Sequence, residues 1–149
     1  MNRRQKRLVA ESVTVIAVTA VAVIAMINLK DWVNRSEALR AMEQLGKKIL
    51  EYRQTNGSVP PQSFVDIQKE RVEGHVRLGS LRYRAQWIDF DATKDEILAY
   101  SEKKYRSLLL GHGYVVLRLD GRVEWMGKGQ FEKLLAQQQS PTEIEMTQQ

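Results

Sequence analysis

The chain has 149 residues, with 23 Lys plus Arg against 18 Asp plus Glu, two His, no Cys and a pI near 9.6. That length leaves room for one domain, and the missing Cys exclude a disulfide framework, a thiol nucleophile and any Cys-ligated zinc or iron–sulfur centre. A net charge of +5 suggests nucleic acid when taken whole, but Arg3, Arg4, Lys6 and Arg7 against Glu11 place +3 of it in the first eleven residues and leave the remainder nearly neutral.

Residues 12–29 read SVTVIAVTAVAVIAMINL, without a single charge. With Leu8, Val9 and Ala10 added and Glu11 at the interface, the stretch 8–29 is about 22 residues long, enough to cross a hydrocarbon core of about 30 Å. A cleaved signal peptide fits less well, because the run is too long and no small-x-small cleavage site follows it. The four cations ahead of the span place residues 1–7 in the cytoplasm as a basic segment and the remainder on the extracytoplasmic, periplasmic side of the inner membrane. Trp32 suits an aromatic anchor at the outer interface as well as it suits an ordinary surface or core position.

Beyond the span, Val33, Leu39, Met42, Leu45, Ile49 and Tyr52 recur at steps of three and four around a polar face, which predicts an amphipathic helix. No Gly or Pro separates it from the span, so one helix over 8–55, roughly 70 Å long, is expected. Asn56-Gly57 and then Pro60-Pro61 end it. Val76 and Leu78, then Leu81, Tyr83, Ala85 and Trp87, alternate with polar neighbours and suggest two short strands, with a further strand over 96–100. The clearest β signal is the alternation over 114–119, a two-residue Asp120-Gly121 hairpin turn, and the return over 122–126. Val115, Leu117, Val123 and Trp125 are expected on one face of it, packed on the helix stripe. A short helix over 130–136 follows, and the polar tail 137–149 reads as disordered. The expected fold is α+β: a long N-terminal transmembrane helix packed on a small antiparallel β-sheet, with residues 30–136 forming the helix-plus-β head.

This layout resembles type IV pilins and the pseudopilins of type II secretion. Residues 45–60, where a helix closing in Tyr52 runs into Asn56-Gly57 and then Pro60, are similar to a pseudopilin helix end. Residues 96–100 followed by 112–125 are similar to the C-terminal hairpin of the planctomycete-type His-x9-Asp-Gly pilin-like family. The chain departs from these families at several points: seven residues separate His112 from Asp120, and Arg122 stands where a second His is common. Aligning Glu11 to the family's fifth mature residue sets Lys6 at the glycine of the cleavage point and Arg7 at the Phe that follows it. The helix-breaking proline usual within a pilin span is missing as well.

The resemblance implies a role for Glu11, whose counterpart lies in the membrane and pairs with the freed N-terminal amine of a neighbouring subunit. On the residues alone, Glu11 reads as an interfacial carboxylate beside Lys6 and Arg7. Thr14, Ala17, Thr19, Ala20, Ala22 and Ala25 are small residues that permit close helix approach, with Glu11, Ala17 and Ala20 the leading assembly candidates. Asp89, Asp91, Asp95 and Glu96 form the one carboxylate-rich loop, which lacks the EF-hand pattern and reads as a solvated surface, although some pseudopilins bind calcium near this point. His75 and His112 are lone, and His112 and Asp120 sit at opposite ends of a strand, too far apart for an acid/base pair. No Gly-rich phosphate loop, nucleophile elbow or paired-His motif is present. The expectation is a non-enzymatic, cofactor-free bitopic protein that acts as a pilin- or pseudopilin-like subunit or accessory part of a secretion or pilus-type assembly. Its partners would be the membrane and other pilin-like or secretion-system subunits, further copies of itself included, and not nucleic acid. A membrane-anchored periplasmic binding or sensor module is the alternative.

Overall fold

The computed structural model describes residues 2–89, 91–107 and 109–147. Helix α1 runs unbroken over Arg3–Asn56, 54 residues, for roughly 80 Å. Apolar residues and the absence of Gly/Pro pairs carry it across the membrane-length segment, and Gly57 stops it by taking φ 71° and returning its N–H to the Arg53 carbonyl at 2.8 Å. Pro60-Pro61 then leads into α2, Gln62–Arg71. Strands β1 (Leu81–Tyr83), β2 (Ile97–Lys104), β3 (His112–Arg118) and β4 (Val123–Gly127) follow in the order β1-β2-β3-β4, every neighbouring pair antiparallel. The chain closes with α3, Lys128–Gln138, and α4, Pro141–Thr147. The α+β class expected from the sequence is the class observed.

The head is three layers deep. One sheet face presents Leu98, Ala99, Val115 and Leu117 to Ala38, Ala41, Met42, Leu45 and Ile49 of α1. The other presents Ile97, Val116 and Met126 to Phe131 of α3, whose ring stacks on Tyr114 at 3.9 Å and tilts against Tyr100 at 4.8 Å. Alternation sets consecutive Ile97 and Leu98 in opposite layers, and the register shift between Ile97 and Ala99 then lets Ala99 join Leu98 on the α1 side. Close approach of sheet to helix depends on small residues that a count of large apolar side chains overlooks. A Cβ on Gly46 would stand 2.8 Å from Leu117 Cδ1.

The hairpin closes through three residues, 119–121, and not through a two-residue turn. Leu117 pairs with Val123 and Val115 with Trp125, while Arg118 N–H donates to Arg122 O at 2.8 Å and Gly121 N–H to Arg118 O at 2.9 Å. Gly121 takes φ 89° and Asp120 keeps a negative φ. A two-residue turn would slip the pairing by one and set Glu124 opposite Leu117, which one buried face does not permit. The three-residue loop keeps Val115, Leu117, Val123 and Trp125 together against α1. Gly121 also lies under Leu50, whose Cδ1 fills the space a Cβ would need. Gly121→Ala is therefore expected to destabilise the head by about 2 kcal/mol, through left-handed backbone strain and the Leu50 clash together. Urea unfolding followed by tryptophan fluorescence measures it, and an unchanged midpoint contradicts the turn geometry.

Three further expectations change. Residues His75–Arg77 form a 3₁₀ turn where a strand was expected, because Gly74, φ 77°, folds the chain tightly onto α1 beside Glu37 O and Ala41 Cβ. Strand β1 ends at Tyr83 and gives way to a second 3₁₀ turn, Ala85–Trp87, because Arg84 turns its guanidinium into the interior. The tail expected to be disordered instead extends α3 to Gln138 and forms α4, with Glu143 buried.

Lys103 of β2 lies half-buried with Nζ donating to the carbonyls of Leu78, at 2.8 Å, and Arg77. Burial first, then the charges of Lys69 and Arg77, push its pKa down to about 8. Below that pH both folded and unfolded chains hold the proton and the destabilisation is complete. Between about 8 and the ordinary value of 10.5 only the unfolded chain holds it, so this destabilisation fades as pH rises. Tyr83, pushed upward chiefly by burial, works in the opposite sense once the unfolded chain begins to ionise near 10. The urea midpoint of the head is expected to gain a rising contribution from pH 8 to about 10, and Lys103→Met is expected to remove that contribution. Parallel pH profiles for the two proteins would contradict it.

Candidate functional site

The first half of α1 stands clear of the head. Its apolar residues are exposed along their whole run from Leu8 to Leu29, and the most apolar window has none of its residues buried. This helix is long and apolar enough to cross a membrane. Three of its polar side chains bond back to the helix itself: Thr14 Oγ1 donates to Ala10 O at 2.9 Å, Thr19 Oγ1 to Val15 O at 2.8 Å and Asn28 Nδ2 to Ile24 O at 3.0 Å. In each of these three the side chain donates to a carbonyl one turn back along the helix, which lowers the cost of a polar group in an apolar surrounding.

Glu11 sits at the start of this run and pairs with Arg7 Nε at 2.9 Å, one turn before it, both side chains exposed. Ala17 and Ala20 lie on neighbouring turns of the exposed helix, three residues apart, with nothing from the head near them. The head thus brings none of the three assembly candidates into a cleft, and at about 3.6 residues per turn Ala17 and Ala20 share a face of α1 while Glu11 points to the side opposite Ala20. Asp120 and Gly121 lie at the opposite end of α1, where Arg53 Nη1 donates to Leu119 O at 2.5 Å and ties the hairpin tip to the last helical turn.

Two polar constellations were not readable from the sequence. The first lies where α1 leaves the apolar segment. Asp31 is buried and accepts the backbone N–H of Ser107, in the β2–β3 loop, at 2.8 Å. One turn on, the Arg35 guanidinium lies over the Trp125 ring at 4.9 Å, and Tyr105 packs on the same indole at 5.6 Å. Burial, then the Asp31 charge, raises the Tyr105 pKa. Arg77 reaches Glu37 at 2.7 Å next to it.

The second is a buried ion pair. Arg84 Nε and Nη2 donate to the two Glu143 oxygens at 2.7 and 2.9 Å, both side chains only 3% exposed. The remaining guanidinium hydrogens go to Ile97 O at 2.7 Å and Gln138 O at 3.2 Å, with Glu96 at 3.6 Å. Burial, the largest influence, disfavours the charged guanidinium, but the Glu143 bonds and the nearby carboxylates outweigh it and hold the Arg84 pKa above its ordinary value. The pair clamps α4 to the sheet.

The acidic loop is dispersed. Asp95 bonds Arg122 on the hairpin and Glu96 faces Arg84. Among the described residues no three His, Asp or Glu side chains converge as a metal site would require. His75 Nδ1 lies 3.2 Å from Val72 O, and His112 Nε2 lies 2.6 Å from Glu102, whose pKa that bond lowers; His112 stands at the start of β3, far from Asp120. The hydroxyls of Ser101 and Ser107 are engaged with backbone, at Leu78 O and Leu110 N. No protein family, characterised protein or solved structure matches the chain.

Proposed function

We propose that the chain is a non-enzymatic, single-pass membrane protein that works as a pilin- or pseudopilin-like subunit, or an accessory component, of a secretion or pilus-type assembly. One observation carries the reading: the exposed apolar half of α1 and the core-forming half are one uninterrupted helix, so a head buried on residues 38–49 is rigidly coupled to a membrane segment with a free surface. Lateral packing of that segment arranges heads around it, and small residues such as Ala17 and Ala20 let neighbouring helices approach. The architecture, a long N-terminal helix on a small antiparallel sheet, is pilin-like.

The basic start sets the orientation, N-terminus in the cytoplasm and head on the extracytoplasmic side of the inner membrane. Because the chain has no Cys, single Cys at Gln5 and Gln54 report it directly. In intact spheroplasts a membrane-impermeant maleimide is expected to label position 54 and spare position 5; the reverse pattern overturns the orientation. Lys6 at the cleavage-point glycine further predicts that Met1 to Arg7 are retained. A methylated N-terminal peptide beginning at Arg7 would contradict this.

A further inference from the structure

Leu109 is the most exposed large apolar side chain of the described residues, at 83%, above even Met26 in the free apolar helix at 71%. It lies in the β2–β3 loop, two residues from Ser107, whose N–H is held by Asp31. Asp31 is itself only two residues beyond Leu29, where the apolar run ends. The loop is closed on itself: Tyr105 N–H donates to Gly111 O at 3.1 Å, Gly111 N–H to Ser107 O at 3.4 Å and Leu110 N–H to Ser107 Oγ at 3.1 Å. Its described residues are thereby tied to one another and, through Asp31, to the point where the apolar run ends. Other parts of the head meet α1 further along, Gly74 at Glu37 and Ala41, Leu117 at Gly46, and Leu119 at Arg53.

The surroundings at that level have the chemistry of a bilayer interface. Trp32 is exposed on α1, Lys30 and Arg106 are exposed cations, and two buried polar atoms, Asn28 Oδ1 and the Tyr105 hydroxyl, have no hydrogen-bond partner within the chain. An apolar tip flanked by an indole and by cations suits the boundary between acyl chains and phosphate headgroups. We propose that the β2–β3 loop is a second membrane contact, with Leu109 entering the phospholipid interface beside the span and Lys30 and Arg106 meeting lipid phosphates. The head is then held at two points, and its tilt over the bilayer is set by the loop as well as by α1.

The inference rests on α1 being a membrane span, and the test separates the two. The full chain, carrying a single environment-sensitive nitrobenzoxadiazole label at Val18→Cys, Leu109→Cys or Val76→Cys, is reconstituted in phosphatidylcholine–phosphatidylglycerol vesicles containing spin-labelled lipids. Val18 reports the span. Val76, 74% exposed on the turn beside Glu37 and Ala41, is a control of comparable exposure about 9–15 Å further along α1. A label at 109 is expected to be blue-shifted and quenched several-fold more than one at 76 by shallow spin labels, with 18 quenched by deep ones. If 18 is quenched and 109 behaves like 76, the loop contact is wrong and the span stands. If 18 is also unquenched, the span reading fails. Shielding of 109 that grows with protein density, without quenching by lipid, makes the loop a subunit contact and overturns the proposal.

Discussion

Glu143→Ala is expected to destabilise the head by about 3–5 kcal/mol, because it strips a buried guanidinium of its carboxylate without giving that cation a way out. Arg84 is fixed at the end of β1, its own N–H donating to Leu98 O at 2.8 Å, so the charge stays inside while the two bonds from Nε and Nη2 are lost. Glu96, 3.6 Å away, compensates in part and sets the effect toward the lower end of that range. Arg84→Ala is expected to cost less than Glu143→Ala, since α4 can undock at the chain end and return Glu143 to water. Replacing both together, Arg84→Met with Glu143→Leu, removes the buried charges and is expected to be far milder than the single Glu143 change. Urea unfolding in detergent reads all three. A Glu143→Ala midpoint within about 1 kcal/mol of the parent would mean that the ion pair does not hold α4.

Val18→Arg combined with Val21→Arg is expected to remove the chain from the membrane. Each Arg near the centre of a span disfavours insertion by about 3 kcal/mol, so the pair lowers the inserted-to-uninserted ratio by about four orders of magnitude. Neither residue touches the head, so the urea midpoint of the head is expected to stay at the parent value. After carbonate extraction the parent is expected in the pellet and the double variant in the supernatant or lost to proteolysis. Retention of the variant in the pellet would show that the exposed apolar half of α1 is not what binds the membrane.

Elements governed by local periodicity were legible in the sequence. The apolar run and the stripe of Met42, Leu45 and Ile49, with no breaker between them, define α1 to its glycine stop, and the alternation around Val115, Leu117, Val123 and Trp125 defines the hairpin and its buried face. The length of the turn is not legible, because Asp-Gly serves both two- and three-residue loops and only the cross-strand register separates them. The long-range polar pairs were illegible for a different reason. Arg84 and Glu143 are 59 residues apart, and Asp31 and Ser107 are 76 apart, so no local spacing links either pair. Nothing local marks a charge that the fold will bury. For α4 a signal did exist: Ser140-Pro141-Thr142-Glu143 has the Ser, first-turn Pro and third-position Glu of a capped helix start, and Ser140 Oγ accepts the Glu143 N–H at 3.2 Å. Its low-complexity surroundings hid it.

The assembly candidates Glu11, Ala17 and Ala20 all lie on the exposed half of α1. Glu11 is balanced within its own helix by Arg7, which gives it a partner without a neighbouring subunit, whereas the small residues have no role in the head at all. The central claim is that the exposed apolar half of α1 packs laterally against like helices. A scan of single Cys through positions 12–29, oxidised in native membranes at native expression, tests it most directly. The expected result is disulfide-linked dimers that peak near Ala17 and Ala20 and fade on the opposite face, with a helical period of three to four residues. Monomers at every position would contradict the assembly reading and leave a head anchored alone in the bilayer.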